Sequence, residues 1–243
     1  MIDLYGMFSP NVRKIGIMLE ELGLDYTLHH VAVFRGDQFE PAFLSLNPLA
    51  KVPVLIDHEH DGTPLYESGA ILLYLAETYG ALLPATGPAR YEAIEWLMVQ
   101  MAAIGPMFGQ HNHFQLLGEG AEPYAAARYR TQAETLYRRL DERLATRDWI
   151  AGGAYSIADI AIFPWAGYLE QHGFEPAGHP HLLRWRETIA ARPSVTRMLA
   201  RFTAAFSAQT QITRRNATPA QLDRFFGRAA QNPPADFSAV TKP

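Results

Sequence analysis

Lys51-Val52-Pro53-Val54-Leu55-Ile56 sets a proline directly against a short apolar run. Val54-Leu55-Ile56 is brief, apolar and β-branched, so it reads as a buried strand. Proline has no N–H and cannot sit in a central strand, so Pro53 marks a strand start or a turn. X-Pro bonds are cis only about one time in twenty, so the cis bond expected at Val52-Pro53 rests on what surrounds the pair. Asp61-Gly62 reads as a hairpin turn, and residues 64–66 as a second short strand. Glu67-Ser68-Gly69 then opens a helix striped with Ile71, Leu72, Tyr74 and Leu75. A helix start offers unbonded N–H groups and a positive dipole end, which suit a carboxylate. Ser68 adds a hydroxyl. Its alternative role is to cap its own helix.

The chain before this stretch supplies the rest of a sheet. Residues 2–5 predict a strand. Ser9 takes an N-cap position and Pro10 the first helical one, as helix starts prefer. Val12, Ile15, Leu19 and Leu22 follow at helical spacing, and Gly23 stops the helix. Residues 26–33 predict a second strand and 38–46 a short helix. The order over residues 1–80 is β-α-β-α-β-β-α, and its first unit demands a parallel pair with a right-handed crossover.

Residues 81–88, with Pro84, Gly87 and Pro88, read as a linker. Strands then vanish, and residues 89–206 predict an all-helical domain. Ile94, Leu97, Met98 and Met101 form one stripe, and Gly105-Pro106 should kink that helix. The next helix is expected over 123–147, with Ala133, Leu136, Leu140 and Leu144 inward. Glu134 and Arg138 are expected to pair across one turn, worth about 0.2–0.5 kcal/mol. A turn is expected at 149–153. Ser156-x-x-Asp159 is a variant capping box, with Tyr155 and Ile160 as a hydrophobic staple, and it accounts for Asp159 structurally. Helices are expected over 179–191 and 194–205. The polar tail, 207–243, carries a second box at Thr218-Pro219-Ala220-Gln221, then Leu222, Phe225 and Phe226 on one face. Two phenylalanines favour burial, so a short helix near 218–229 is expected to dock on the body and cover part of the cleft between domains. After Gln231, disorder or an extended strap is expected.

The 243 residues include no cysteine. Disulfides, thiolate metal sites and a cysteine nucleophile are excluded, and any thiol chemistry must use a thiol that the ligand brings. A formal net charge of −4 argues against nucleic acid as a partner. No apolar run is long enough for a membrane helix, and the N-terminus lacks the regions of a signal peptide. A reducing, cytoplasmic setting is expected. His58 with His60, and His111 with His113, lack a third ligand at zinc-like spacing, so no metal site is expected. The first pair is expected to be solvated in the hairpin turn, and the second to line the cleft.

Val-Pro before a strand, a hairpin and Glu-Ser-Gly at a helix start together resemble the glutathione-binding half of the glutathione transferases. The resemblance runs from residue 1 to about 205 and implies a thioredoxin-like domain followed by a helical one. Ser156-x-x-Asp159 resembles the folding box of that second domain. By the resemblance, the cis Val52-Pro53 bond exposes the Val52 backbone to pair with the cysteine of glutathione, while Glu67 and Ser68 bind the γ-glutamyl end.

Met7-Phe8-Ser9-Pro10-Asn11-Val12-Arg13-Lys14 is similar to the activation loop of serine-type transferases. With Gly-Gln-His-Asn-His-Phe at 109–114 and Tyr-Ala-Ala-Ala-Arg-Tyr at 124–129, it most resembles the bacterial nu class, where threonine stands in place of Ser9. A thiol near pKa 8.5 is only about a few per cent thiolate at neutral pH. Ser9, Asn11 and the helix dipole would stabilise the thiolate, with Tyr5 as the alternative donor. Gln38 and Lys51 would meet the glycyl end. Arg128 would stand at a dimer cleft, reaching the neighbouring subunit's site.

The resemblance implies a homodimer that binds one or two glutathiones, or glutathione disulfide, and reduces small disulfides. Peroxidase activity or conjugation of electrophiles would be secondary. The same fold also serves non-catalytic regulators and glutathione-dependent isomerases, dehalogenases and ether-cleaving enzymes.

Overall fold

The computed structural model describes residues 1–117, 122–151, 153–229, 231–232 and 235–241. Strands β1 (Ile2–Gly6) and β2 (Tyr26–His30) run parallel, with Leu4 opposite Leu28. Strand β3 (Val54–Asp57) lies antiparallel on the other side of β1, with Leu4 opposite Leu55, and β4 (Leu65–Tyr66) closes the edge. The order β2-β1-β3-β4 is the sheet expected of a thioredoxin-like domain. The Val52-Pro53 peptide is cis.

Helix α1 (Pro10–Leu22) is the crossover between β1 and β2. The apolar spacing predicted one inward face. The structure instead buries Val12 and every residue from Lys14 to Glu20. The reason is tertiary: α1 is covered by α3 (Ser68–Tyr79) and also by α7 (Ile157–Ala166) and α9 (Pro193–Phe202) of the helical half. Gly16 makes that close approach possible, since a Cβ there would collide with the Phe202 ring of α9.

Three local expectations are corrected. Strand β2 ends at His30, and Val31, Val33 and Phe34 leave the sheet for a second apolar cluster. The helix expected at 38–46 divides into a 3₁₀ turn (Asp37–Phe39) and α2 (Pro41–Leu44), because Glu40 before Pro41 is extended at φ −71°, ψ 145°. The first helix of the second half is α4 (Gly87–Val99), one turn of π-helix (Gln100–Ile104) and α5 (Gly105–Leu116). The wider turn shifts the helix phase. Its inner face runs through Ala93, Leu97, Gln100, Ile104 and Phe108, while Met98 is exposed.

Helix α6 (Pro123–Leu144) buries Ala133, Leu140 and Leu144. Arg138 turns toward Glu142 at 2.9 Å rather than toward Glu134, and Arg139 joins the same carboxylate. The turn expected at 149–153 includes Gly152, which lies outside the described residues. The Ser156–Asp159 capping box is present. Asp159, fully buried, also accepts from the Ile150 N–H and from Trp185 Nε1 on α8 (Pro180–Ala190), both at 2.9 Å. Burial pushes its carboxyl up, and these donors oppose that shift.

The last core helix does not stop at Ala205. It continues from α9 through a π-turn (Thr203–Ser207) into α10 (Ala208–Arg215). The second capping box holds, Thr218 with Gln221, and opens α11 (Pro219–Phe225). Leu222 is buried among Val31, Val33 and Phe34, with Phe225 and Phe226 against them. Beyond Gln231, Phe237 and Val240 are buried in the same cluster, and α12 (Ser238–Thr241) lies there. The described part of this stretch is therefore a packed strap; residues 233–234 and 242–243 lie outside the described ones.

Asp159 ties α7, α8 and the preceding turn together through several donors. Asp159→Ala leaves those N–H groups buried and unpaired, so unfolding free energy should fall by about 3 kcal/mol. Urea titration of both proteins measures it, and a change under about 0.5 kcal/mol would mean the box is dispensable.

Candidate active site

The α1 start and the α3 start face the π-turn and α7, while Val52, Pro53, Gln38 and Lys51 border neither of the two cavities there. Ser9 is extended at φ −135°, ψ 158°, and its hydroxyl makes no capping bond. Asn11, two residues on, is fixed from the other half of the chain. Trp165 Nε1 of α7 donates to Asn11 Oδ1 at 3.0 Å. An indole N–H can only donate, so the amide oxygen must face it and the NH₂ is turned away. Asn11 lines a cavity of about 290 Å³ with Glu67, Gln100, Met101 and Trp165. Ser9 lines a larger one of about 430 Å³, and Trp165 borders both.

The opposite wall carries backbone strain. Glu67, not Ser68, is the N-cap of α3, with φ 65°. A non-glycine residue there costs on the order of 1–3 kcal/mol, and such residues cluster at functional sites. Ser68 is the first helical residue and is buried, its Oγ only 3.8 Å from Met101 Sδ. The capping alternative for Ser68 is thereby excluded. Gly69 admits the π-turn, since a Cβ there would stand 2.9 Å from Met101 Cγ. Among the described residues, neither the Val52 N–H nor its carbonyl has a hydrogen-bond partner. Buried Asn47 steadies the loop by donating from Nδ2 to the Lys51 carbonyl at 2.8 Å. The Lys51 side chain is exposed. Gln38 is buried, and its Oε1 has no partner among the described residues. An unpaired buried acceptor is costly unless a ligand donor meets it.

Sequence reasoning passed over Lys14, Asn47, Gln100 and Trp165 as site residues. Lys14 stands one helical turn beyond Asn11 and is fully buried. Its Nζ donates to Gln100 Oε1 at 2.6 Å and to Met101 Sδ at 3.3 Å. Burial pushes the ammonium down to about 7, against the pull of the Glu67 carboxylate. The signal in the sequence was Ile17 and Met18, three and four residues on from Lys14, which surround it with apolar side chains off the predicted stripe.

Other expected residues stand elsewhere. Arg128 is exposed on α6, its guanidinium 5.4 Å from the Tyr129 ring centroid, and borders neither cavity. Tyr5 stacks on His29 at 4.5 Å and borders neither. His58 and His60 are not free in solvent: they bond Asp3 and Asp57, each at 2.8 Å. His111 is turned into the helical core, where Nε2 donates to the His172 carbonyl at 3.0 Å, and His113 packs on Phe226. Neither lines the cleft, because the π-turn has rotated α5. His172 does line the larger cavity. Among the described residues, no three His, Asp or Glu side chains gather as metal ligands would, and no helix is long and apolar enough to cross a membrane.

Known proteins match this arrangement. The glutathione S-transferase N-terminal domain family matches residues 8–78, and the C-terminal domain family residues 96–193. The disulfide-bond oxidoreductase YfcG of Escherichia coli (strain K12) is 41% identical over 203 residues, covering 82% of this chain and 94% of that protein. A glutathione transferase family member from Pseudomonas fluorescens Pf-5, solved with two glutathiones bound, is 43% identical with a TM-score of 0.75, over 82% of this chain and 92% of that one. A Pseudomonas putida glutathione transferase, solved with one glutathione disulfide bound per subunit, is 38% identical with a TM-score of 0.75, over 82% and 90%.

Lys14 supplies a pH signature. Its folded pKa of about 7 lies below the ordinary 10.5, so between those values the unfolded chain holds more protons. Stability therefore rises with pH across that window and is flat below it. From pH 7 to pH 9, unfolding free energy should rise by about 2 kcal/mol more in the native protein than in Lys14→Met. Urea melts of both at the two pH values test this, and parallel profiles would show that Lys14 keeps its proton through pH 9, hydrated in the fold.

Proposed function

The chain belongs to the glutathione transferase family, and on that premise we propose that it is a glutathione-dependent disulfide reductase of the nu type. The observation that carries the reading is the orientation of Asn11. The bond from Trp165 leaves the NH₂ as a preset donor, and a donor that needs no reorganisation favours the charged form of what it meets. Bound glutathione would rest with its cysteine backbone on Val52 beside Pro53 and its γ-glutamyl end on Glu67, Ser68 and the first N–H groups of α3. Its glycyl end would meet Lys51 and Gln38, whose Oε1 has no partner among the described residues.

Asn11 and Ser9 hold the sulfur as thiolate. The thiolate attacks one sulfur of a small disulfide, the S–S bond breaks, and the departing thiolate takes a proton. A second glutathione then resolves the mixed disulfide as glutathione disulfide. A chain without cysteine can run this exchange only between ligand thiols. Peroxide reduction and conjugation use the same thiolate and are secondary.

The reading includes a homodimer. Tyr91, Met98 and Tyr124 are exposed on α4 and α6, the two helices that also border a cavity of about 500 Å³ through Trp96, Val99, Leu136 and Arg143. Arg128 on that face is then offered to the partner's site rather than to its own. A cytoplasmic setting, rich in reduced glutathione, suits a cysteine-free chain.

Parallel steady-state assays with bis(2-hydroxyethyl) disulfide and 1-chloro-2,4-dinitrobenzene test the activity. The disulfide should give the higher kcat/KM, and the reverse order would make conjugation the main reaction. Asn11→Ala should lower kcat/KM about tenfold to a hundredfold, the scale of a hydrogen bond to a charged group, with glutathione Kd within about twofold because the contact strengthens as thiolate forms. An unchanged kcat/KM would remove Asn11 from the mechanism.

A further inference from the structure

The C-terminal tail lies past residue 193, where the family match ends, yet it builds one wall of the larger cavity. Phe225, Phe226 and Val240 line it together with Phe34, Leu116 and Trp165. The wall is held in place. Phe225 packs on Phe34 with ring centroids 4.6 Å apart, and Phe226 stacks on Phe237 at 5.4 Å. Gln221 Nε2 donates to the Arg35 carbonyl at 3.2 Å, and the Arg224 guanidinium lies 4.1 Å from the Phe39 ring centroid. Arg214 Nε donates to the Val240 carbonyl.

The lining is largely apolar and aromatic, with Ser9, Asn112 and Gln171 as neutral polar side chains and one charge. Arg214 is its only charged side chain among the described residues. His172 is neutral, since burial and the neighbouring His111 hold it down to about 3. With Nε committed to the tail, the two terminal nitrogens of Arg214 have no partner among the described residues. A second glutathione would bring two carboxylates and an ammonium against phenylalanine rings. An aromatic group with one carboxylate matches both the rings and the single guanidinium.

We propose that the tail makes this cavity a chamber for the non-glutathione half of the disulfide, selecting a carboxylate-bearing aryl thiol group. The inference rests on the disulfide-reductase reading and names its substrate class. The reaction balances as two glutathiones and one diaryl disulfide giving glutathione disulfide and two aryl thiols. Glutathione is oxidised, the aryl disulfide is reduced, and each departing aryl thiolate takes the proton that a glutathione thiol gave up.

The test compares bis(4-carboxyphenyl), bis(4-aminophenyl) and bis(2-hydroxyethyl) disulfides, with binding of S-(4-carboxybenzyl)glutathione and S-methylglutathione as a readout free of turnover. The full-length protein should favour the carboxyaryl disulfide by kcat/KM and bind the carboxybenzyl conjugate more tightly. Phe225→Ala/Phe226→Ala should cut the aryl-to-hydroxyethyl ratio about tenfold, the upper scale of an aromatic contact. Phe225→Leu/Phe226→Leu, which keeps the docking face apolar, should also lower the ratio and serves if the alanine variant does not fold. Arg214→Gln should cut the carboxyaryl-to-aminoaryl ratio about tenfold, with partial rescue by Arg214→Lys. Unchanged ratios in these variants, or equal affinity for the two conjugates, overturns the chamber. Selective binding without reduction of any disulfide overturns the reductase reading and leaves the chamber standing.

Discussion

Helix α1 is buried on every side, and that burial joins the two halves of the chain. Its C-terminal half is clamped by charge. Glu21 accepts from Arg192 at 2.6 and 2.8 Å and from Ser194 at 2.5 Å. Glu20 accepts from Arg197, Arg201 and the Tyr26 hydroxyl. Burial alone would raise both carboxyls, but these donors outweigh it and hold them below the usual range. Its N-terminal half is clamped by Trp165 on Asn11 and by Gln100 on Lys14. A helix held so firmly can aim its first turn at a ligand without losing conformational entropy at the moment of binding.

Two unfavourable features meet at one cleft, and a third lies in the β2–α2 connection. Glu67 is in a left-handed conformation; among the described residues, Lys14 is buried without a hydrogen-bonded carboxylate and Gln38 has a buried oxygen with no partner. Each opposes folding by itself. The surrounding core over-determines them: the sheet and α3 on one side, α7 and α9 on the other. Glu67 and Lys14 stand together around Asn11 and the α3 start, and functional sites are where such strain collects.

The two apolar clusters divide the labour. The larger one spans the sheet, α1, α3 and the helical bundle. The smaller one takes Val31, Val33 and Phe34 from the end of β2 and covers them with Leu222, Phe237 and Val240. This explains why β2 is short: its apolar continuation finds better cover under the tail than beside β1. The tail that covers those residues also borders the cavity of about 430 Å³ beside Ser9, so the same side chains pack the fold and shape that cavity.

Local chemistry was enough for much of this. Ser9-Pro10 started α1, Val52-Pro53 marked the edge of β3, and Ser156–Asp159 and Thr218–Gln221 opened their helices. Each of those devices acts through proline's backbone limits or through bonds among residues a few positions apart, so they are legible in a sequence read by itself. Phe225 and Phe226 declared a docked tail for the same reason, as two rings on one short face. What the sequence could not decide were contacts whose partners lie far away along the chain. Trp165 meets Asn11 across 154 positions, and Lys14 meets Gln100 across 86. The π-turn shifted α5 by one extra residue of phase and turned His111 inward, which no apolar spacing announces. Periodicity names the face of a helix; only the assembled fold decides how many of its faces are covered and which polar side chain is trapped among them.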